Sequence, residues 1–283
     1  MSAAAASDKK KLKKEKKKEK RQSASAVAEI IPATDVPVAR SPATRARGLT
    51  TLAVDIGGTG VKSMLLDMEG KPMTDRLRAK TPSPGAPKAI IALIAEFAKQ
   101  LGDFDRVSVG FPGVIKKGVV YTAANLDKKW IEYPFAEKLS LTLGKPVRLA
   151  NDAVVQGLGA VTGIGVELVI TLGTGMGAAL YLDGTPIPSL EMGHHPFRAG
   201  MTYEDELGRR ALVKGGRKKW NKRLAEAIDQ LYRLFYYDRL YIGGGNSGKI
   251  SFHLPKDTEI ISNEDGILGG IKLWEQNLDE MWK

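Results

Sequence analysis

The chain of 283 residues carries 43 Lys and Arg against 32 Asp and Glu, a net charge of +11, and contains no cysteine. Without cysteine there is no disulfide, no thiolate zinc site and no cysteine nucleophile, and no apolar run approaches the roughly 20 residues that span a bilayer. A hydrophobic content of 43% suffices for a substantial core in one or two domains; the lysine-rich start has no apolar h-region, which argues against a secretory signal and makes the cytoplasm the expected compartment.

In chain order, residues 1–48 are predicted to be disordered. AAAASDKKKLKKEKKKEKRQSASA has almost no apolar content, and IPATDVPVARSPATRARG is punctuated by proline. Such a tail is either a solubilising block or a tether for a polyanion. Two β-rich runs, TLAVDI (51–56) and VKSMLLDM (61–68), flank the glycine turn GGTG, and MTDRLRAKT supplies a third strand. PKAIIALIAEFAKQLG (87–102) is apolar at helical spacing and stops at Gly102. A strand (RVSVGFP), a helix (PFAEKLSLTLG), a strand (PVRLAND) and a helix (AVVQGLGAVTG) follow. VELVITLGTGMGAALYLDG reads as two strands about a second glycine turn. A helical stretch over about 203–236 is interrupted at Gly215-Gly216, RLYIGGG is a further strand, and NEDGILGGIKLWEQNL begins a closing helix. The alternation predicts an α/β chain. The hairpin around GGTG recurs around GTGMG about 115 residues later. Two similar α/β lobes around a cleft are therefore expected, 49–150 with a first phosphate loop and 151–283 with a second loop and a basic helix.

DIGGTGVK places Asp55 at the carboxyl end of a strand, ahead of Gly57, Gly58, Thr59 and Gly60, with Lys62 close beyond. Glycines there let backbone N–H groups approach an anion, and a plain β-turn has the same composition. Neither the Rossmann nor the Walker pattern is present. LGTGMG (172–177) carries the same two readings. In LANDAVV, Asn151 and Asp152 follow a strand and open a helix, which fits an N-cap and equally a carboxylate placed to deprotonate a hydroxyl. TAANLDKKW adds Asn125 and Asp127, and EMGHHPF adds Glu191, His194 and His195. Such loops suit hydrogen bonding to several hydroxyls, as a sugar demands, whereas two adjacent His and one Glu lack a metal-ligand spacing.

Taken together, DIGGTG, GFPG, AND, LGTGMG, EMGH and IGGG, in that order, resemble the ROK sugar kinases of the actin-like ATPase (ribonuclease H-like) superfamily over about residues 50–283. TAANLDKKWI, GHHPFRAGMTYEDELG, KKWNKRL and IGGGNSGK are similar to the polyphosphate glucokinase group within it. The resemblance implies transfer of the terminal phosphoryl group of polyphosphate, and often of ATP, to the 6-hydroxyl of glucose, with Mg²⁺, in a homodimer. It makes Asp152 the general base, and Asn125, Asn151, Asp152, Glu191, His194 and Glu204 the glucose ligands. Asp55 would help place Mg²⁺ through water. Gly57, Gly58, Thr59, Gly60, Lys62, Gly173, Thr174, Gly175, Gly243 and Gly244 would join Asp55 around the donor phosphates. The cysteine-rich zinc motif common among ROK proteins is missing here, as in that group, so no zinc is expected. The alternatives are an ATP-dependent glucokinase or glucomannokinase, and a non-catalytic sugar-sensing regulator. ROK repressors carry an N-terminal helix-turn-helix, for which residues 1–48 offer no apolar periodicity.

RRALVKGGRKKWNKR (209–223) holds eight Lys or Arg and no acid, while the first fifty residues hold 13 basic residues against five acids, so the remainder nets −5. Trp220, Leu224, Ile228, Leu231 and Phe235 share one helical face, which makes Trp220 a core anchor. Arg217, Lys218, Lys219, Lys222 and Arg223 form a candidate polyphosphate track. If a helix restarts after the glycines, cations in its first turn oppose the helix dipole by about 0.3–1 kcal/mol each; a bound polyphosphate would reverse that penalty.

Overall fold

The computed structural model describes residues 48–188, 190–262 and 265–275, so all but the last residue of the expected disordered tail lies outside the described residues. The first sheet contains β1 (Thr51–Ile56), β2 (Gly60–Leu66), β3 (Leu77–Lys80), β4 (Arg106–Phe111) and β5 (Val147–Asn151), in the order β3-β2-β1-β4-β5. Its first three strands form an antiparallel meander, and β4 and β5 continue in parallel from β1. Five of the six residues of β1 are buried, as the continuous apolar run of a central strand requires. The crossover α1 (Pro87–Leu101) starts on a proline and buries Ile90, Ile91, Ile94, Phe97 and Ala98, an i, i+3/i+4 stripe, against this sheet. α2 (Phe135–Leu143) makes the second crossover.

The second sheet contains β6 (Val166–Leu172), β7 (Met176–Leu182), β8 (Thr185–Pro186), β9 (Arg239–Gly243) and β10 (Thr258–Ile260), in the order β8-β7-β6-β9-β10. Again three antiparallel strands are followed by two parallel ones. The recurrence expected from two glycine turns thus extends over five strands. Between the sheets lies α3 (Asp152–Leu158), whose Ala153, Val154, Val155 and Leu158 pack with Val169, Ala179, Tyr181 and Tyr241. No helix among the described residues is long and apolar enough to cross a membrane.

Two expectations change in detail. The closing helix is two short pieces, α6 (Asp265–Leu268) and a 3₁₀ turn at Lys272–Trp274. Consecutive glycines at 269 and 270 separate them, each about 1 kcal/mol less favourable than alanine inside a helix. Ile267 and Ile271 pack with Ala53 and Leu66, so the chain returns to the first sheet. The 203–236 stretch is α4 (Tyr203–Leu207) followed by α5 (Arg209–Phe235), and α5 breaks at Gly216, where φ is 75° and ψ 160°. Hairpins at 115–120 and 196–202, and β10, were not legible, because strands of two or three residues carry no period to detect.

Trp220 is fully buried and its Nε1–H donates to the Leu207 carbonyl at 2.8 Å, with Leu224, Ile228 and Leu231 below it. Trp220→Ala should therefore lower unfolding stability by about 3–5 kcal/mol, read as a drop in the denaturation midpoint. A loss below 1 kcal/mol would show that the side chain anchors nothing.

Candidate active site

The two glycine turns face one cleft. The first, after β1, brings Asp55, Gly57, Gly58, Thr59 and Lys62 to it; the second, between β6 and β7, brings Gly173, Thr174 and Gly175. Asn125, Asn151 and Asp152 line the same cleft, as do Glu191, His194, Glu204 and Gly244. Gly60 lies behind the lining, where its carbonyl accepts the Gly57 N–H at 2.9 Å and closes the first turn. Gly243 is buried at the end of β9.

Local rules explain these positions. Asn151 caps α3 by accepting the Ala153 N–H at 2.9 Å, and Asp152 Oδ1 accepts the same N–H at 2.8 Å. Both the N-cap reading and the cleft-facing reading of this pair therefore hold at once. Asn151 Nδ2 also donates to the Gly113 carbonyl at 3.2 Å, tying the cap to the loop after β4. Asp127, by contrast, caps the turn Lys128–Trp130 by accepting the Lys129 N–H at 2.8 Å. Glu204 crosses the second turn: a Cβ on Gly175 would stand 1.9 Å from its Oε2, so only glycine admits the carboxylate there. The Met176 N–H points to the same oxygen at 3.4 Å. Asn246 steadies this turn by donating Nδ2–H to the Gly173 carbonyl at 2.8 Å.

Residues 51–207 match the ROK family. Polyphosphate glucokinase from Mycobacterium tuberculosis (strain CDC 1551 / Oshkosh) is 32% identical over 212 residues, 71% of this chain and 80% of that protein. The chain belongs to the ROK family. Glucokinase from Streptomyces coelicolor is 32% identical over 154 residues, 51% of this chain and 46% of that protein. Among solved structures, inorganic polyphosphate/ATP-glucomannokinase from Arthrobacter sp. strain KM is similar with a TM-score of 0.74 and 31% identity, over 81% of this chain and 100% of that one. The paired sheets are accordingly the actin-like ATPase fold of ROK kinases.

Electrostatics single out one group in this ROK cleft. Burial, reinforced by the negative charges of Asp55 and Glu191, pushes the Asp152 carboxyl up to about 7, against the opposing pull of the Ala153 N–H. Burial also raises Glu191; the nearby Glu204 adds to the rise and His194, whose Nε2 lies 3.5 Å from Glu191 Oε2, counters it. Asp55 is paired across β1 and β2 with Lys62, Nζ to Oδ2 at 2.6 Å. Asp55 gives the cleft a carboxylate beside the first glycine turn, and Mg²⁺ takes one or two carboxylates together with water and substrate phosphates.

Several lining residues escaped the sequence reading. Gln156 sits four residues after Asp152, on the same face of α3, and donates Nε2–H to the Ser262 carbonyl at 3.0 Å. Thr171 Oγ1 accepts the Gly177 N–H at 3.2 Å beside the second turn. The helical spacing from Asp152 was the available signal for Gln156; Thr171 had none, being one threonine in an apolar strand.

The basic residues separate by role. Arg217, Lys218 and Lys222 line a shallow depression with Asn221, Ser251 and Phe252, apart from the cleft lining. Arg217 donates to the Lys249 carbonyl at 2.8 Å and to that of Ile250 at 3.3 Å. Lys219 is exposed, and Arg223 turns inward to an ion pair with Glu206.

A carboxyl held near 7 in the folded state, against about 3.9 when unfolded, keeps its proton between those values where the unfolded chain has lost it. Its contribution to stability is thus complete below pH 4 and lost as the pH rises through about 7. Asp152→Asn, which never ionises, should be more stable than the parent by roughly 2–4 kcal/mol at pH 8 without added Mg²⁺, with the gap closing by pH 4. Denaturant titrations at both pH values measure this; an equal gap at each would refute the burial argument.

Proposed function

We propose that the chain transfers the terminal phosphoryl group of inorganic polyphosphate, and also of ATP, to the 6-hydroxyl of glucose. The observation that carries the reading is Asp152, a cleft carboxylate pushed up to about 7 that shares the cleft with two glycine turns and with Asp55 and Glu191. A pKa near working pH suits a general base. Identity of 31–32% to polyphosphate-using kinases supports the donor.

In this reading Asn125, Asn151, Glu191, His194 and Glu204 hold the sugar hydroxyls. Asp152 takes the 6-hydroxyl proton as that oxygen bonds to the terminal phosphorus. The bond from this phosphorus to the bridging oxygen breaks, leaving glucose 6-phosphate and a donor shorter by one phosphate. Backbone N–H groups of both glycine turns, with Lys62, meet the phosphate charge. Mg²⁺, held through Asp55 and water, would supply further neutralisation of the donor. Little covalent chemistry is asked of the protein, since phosphoryl transfer depends chiefly on positioning and charge. Lys218, Lys219 and Lys222 extend the donor site, with Arg217 fixing the backbone beside them. The family resemblance adds a homodimer to this reading.

A second reading, an ATP-dependent glucokinase, is supported by the 32% identity to the Streptomyces coelicolor glucokinase. Initial rates with polyphosphate and with ATP separate the two.

Asp152→Asn should lower kcat by about 10²–10⁴ with glucose still binding, measured by coupled assay and calorimetry; full turnover in this variant would remove Asp152 from the base role. Replacing Lys218, Lys219 and Lys222 with Gln should raise KM for polyphosphate by about tenfold or more and spare KM for ATP. Equal loss with both donors would count against a polyphosphate track.

A further inference from the structure

Arg223 entered as one of five track cations, yet its side chain is only 15% exposed and is paired with Glu206, 11% exposed. Such burial removes it from any donor passing over the helix surface. Glu206 belongs to α4, the five-residue helix that also carries Glu204. Residues two apart on a helix point to opposite sides. Glu204 accordingly reaches the cleft across Gly175, and Glu206 reaches α5.

Two further bonds join the same pair of helices: Trp220 Nε1–H to the Leu207 carbonyl at 2.8 Å and Tyr203 Oη–H to Gln230 at 3.2 Å. The end of α4 is also bonded to the second glycine turn, because the Arg209 N–H donates to the carbonyls of Gly173 and Thr174. A five-residue helix has too few internal hydrogen bonds to hold itself in place. Its ties to α5 and to the second turn therefore set the position of Glu204. The ionic tie is the one whose loss leaves a charge stranded, which costs more than loss of a neutral contact.

We infer that Arg223 is a positioning residue for the sugar site: through Glu206 it fixes α4, and so holds Glu204, the proposed glucose ligand, in place beside the second glycine turn. The inference rests on the proposed reading of the cleft as a glucose site. It takes Arg223 out of the polyphosphate track and leaves the three lysines in it.

Steady-state kinetics on the full chain test this, with glucose varied at saturating ATP and again at saturating polyphosphate. Arg223→Met should raise KM for glucose by about tenfold, a largely buried ion pair being at stake, and equally with either donor, while KM for polyphosphate stays unchanged. Arg223→Lys should recover part of the loss. Because Arg223→Met strands the Glu206 charge, the double variant Glu206→Gln with Arg223→Met is measured alongside; it should be no worse than either single change, with circular dichroism confirming that it folds. A rise in KM for polyphosphate with glucose unaffected would return Arg223 to the track and overturn the inference. So would a lowered melting temperature with every KM unchanged, which is what a merely structural pair gives. A wild-type chain that phosphorylates no glucose would instead overturn the functional reading, a result distinct from either.

Discussion

Everything in the cleft depends on a carboxylate being kept where a carboxylate does not want to be. Asp152 opens α3 at the seam of the two sheets, with apolar packing beneath it from Ala153, Val154 and Val155. One backbone N–H, that of Ala153, is shared between its oxygen and that of Asn151. Shared donation stabilises the anion less than the two or three dedicated N–H bonds that drive a carboxylate well below its usual range. Burial and the charges of Asp55 and Glu191 therefore prevail. A fully satisfied Asp152 would be a good cap and a poor base. In the proposed reading this incomplete satisfaction is what makes Asp152 a base, and the surrounding fold has to be stable enough to hold it.

The rest of the fold supplies that support by using one arrangement twice. Each sheet has a meander of three strands followed by two parallel strands, and each central hairpin turns through glycines. Because both hairpins end at the same cleft, the glycines of two turns converge on it. Such convergence suits a chain of phosphates, which presents charge on all sides and no single edge to recognise. The α6 segment packing on β1 and β2 ties the chain's described end to the first sheet.

Much of this was legible from residues, for identifiable reasons. β1 announces itself as an unbroken apolar run, α1 as a helical stripe between Pro87 and Gly102, and the repeat as two glycine turns at matching points. Asn151 and Asp152 stood out because a polar pair between two apolar runs has few other uses. What escaped was either too short to have a period, as with the hairpin at 196–202, or depended on side-chain direction. Glu206 is the instructive case. In YEDEL three acids sit within four positions, and nothing in spacing alone says that Glu204 meets the cleft, Asp205 closes the capping box with Thr202, and Glu206 pairs with an arginine 17 residues on. Those assignments need the third dimension.

The basic run makes the same point about charge. As a string, RRALVKGGRKKWNKR is a block of like charges, and a block invites one explanation. Gly216 divides it, because its φ of 75° and ψ of 160° end one helical segment and start another. With the second segment beginning after that residue, Arg217, Lys218 and Lys219 fall in its first turn, where cations oppose the dipole by about 0.3–1 kcal/mol each. Arg217 offsets its share by donating to two carbonyls of the 249–250 segment, and Arg223, further along, is neutralised by Glu206. Lys218 and Lys219 retain the unfavourable placement on the exposed side. A fold that ties Arg217 to backbone carbonyls and Arg223 to a carboxylate, and leaves neighbouring lysines facing water at a helix start, has kept positive charge where an anionic chain can reach it. In the proposed reading the functional weight of the run rests on the lysines, and Arg217 and Arg223 belong to the framework that presents them.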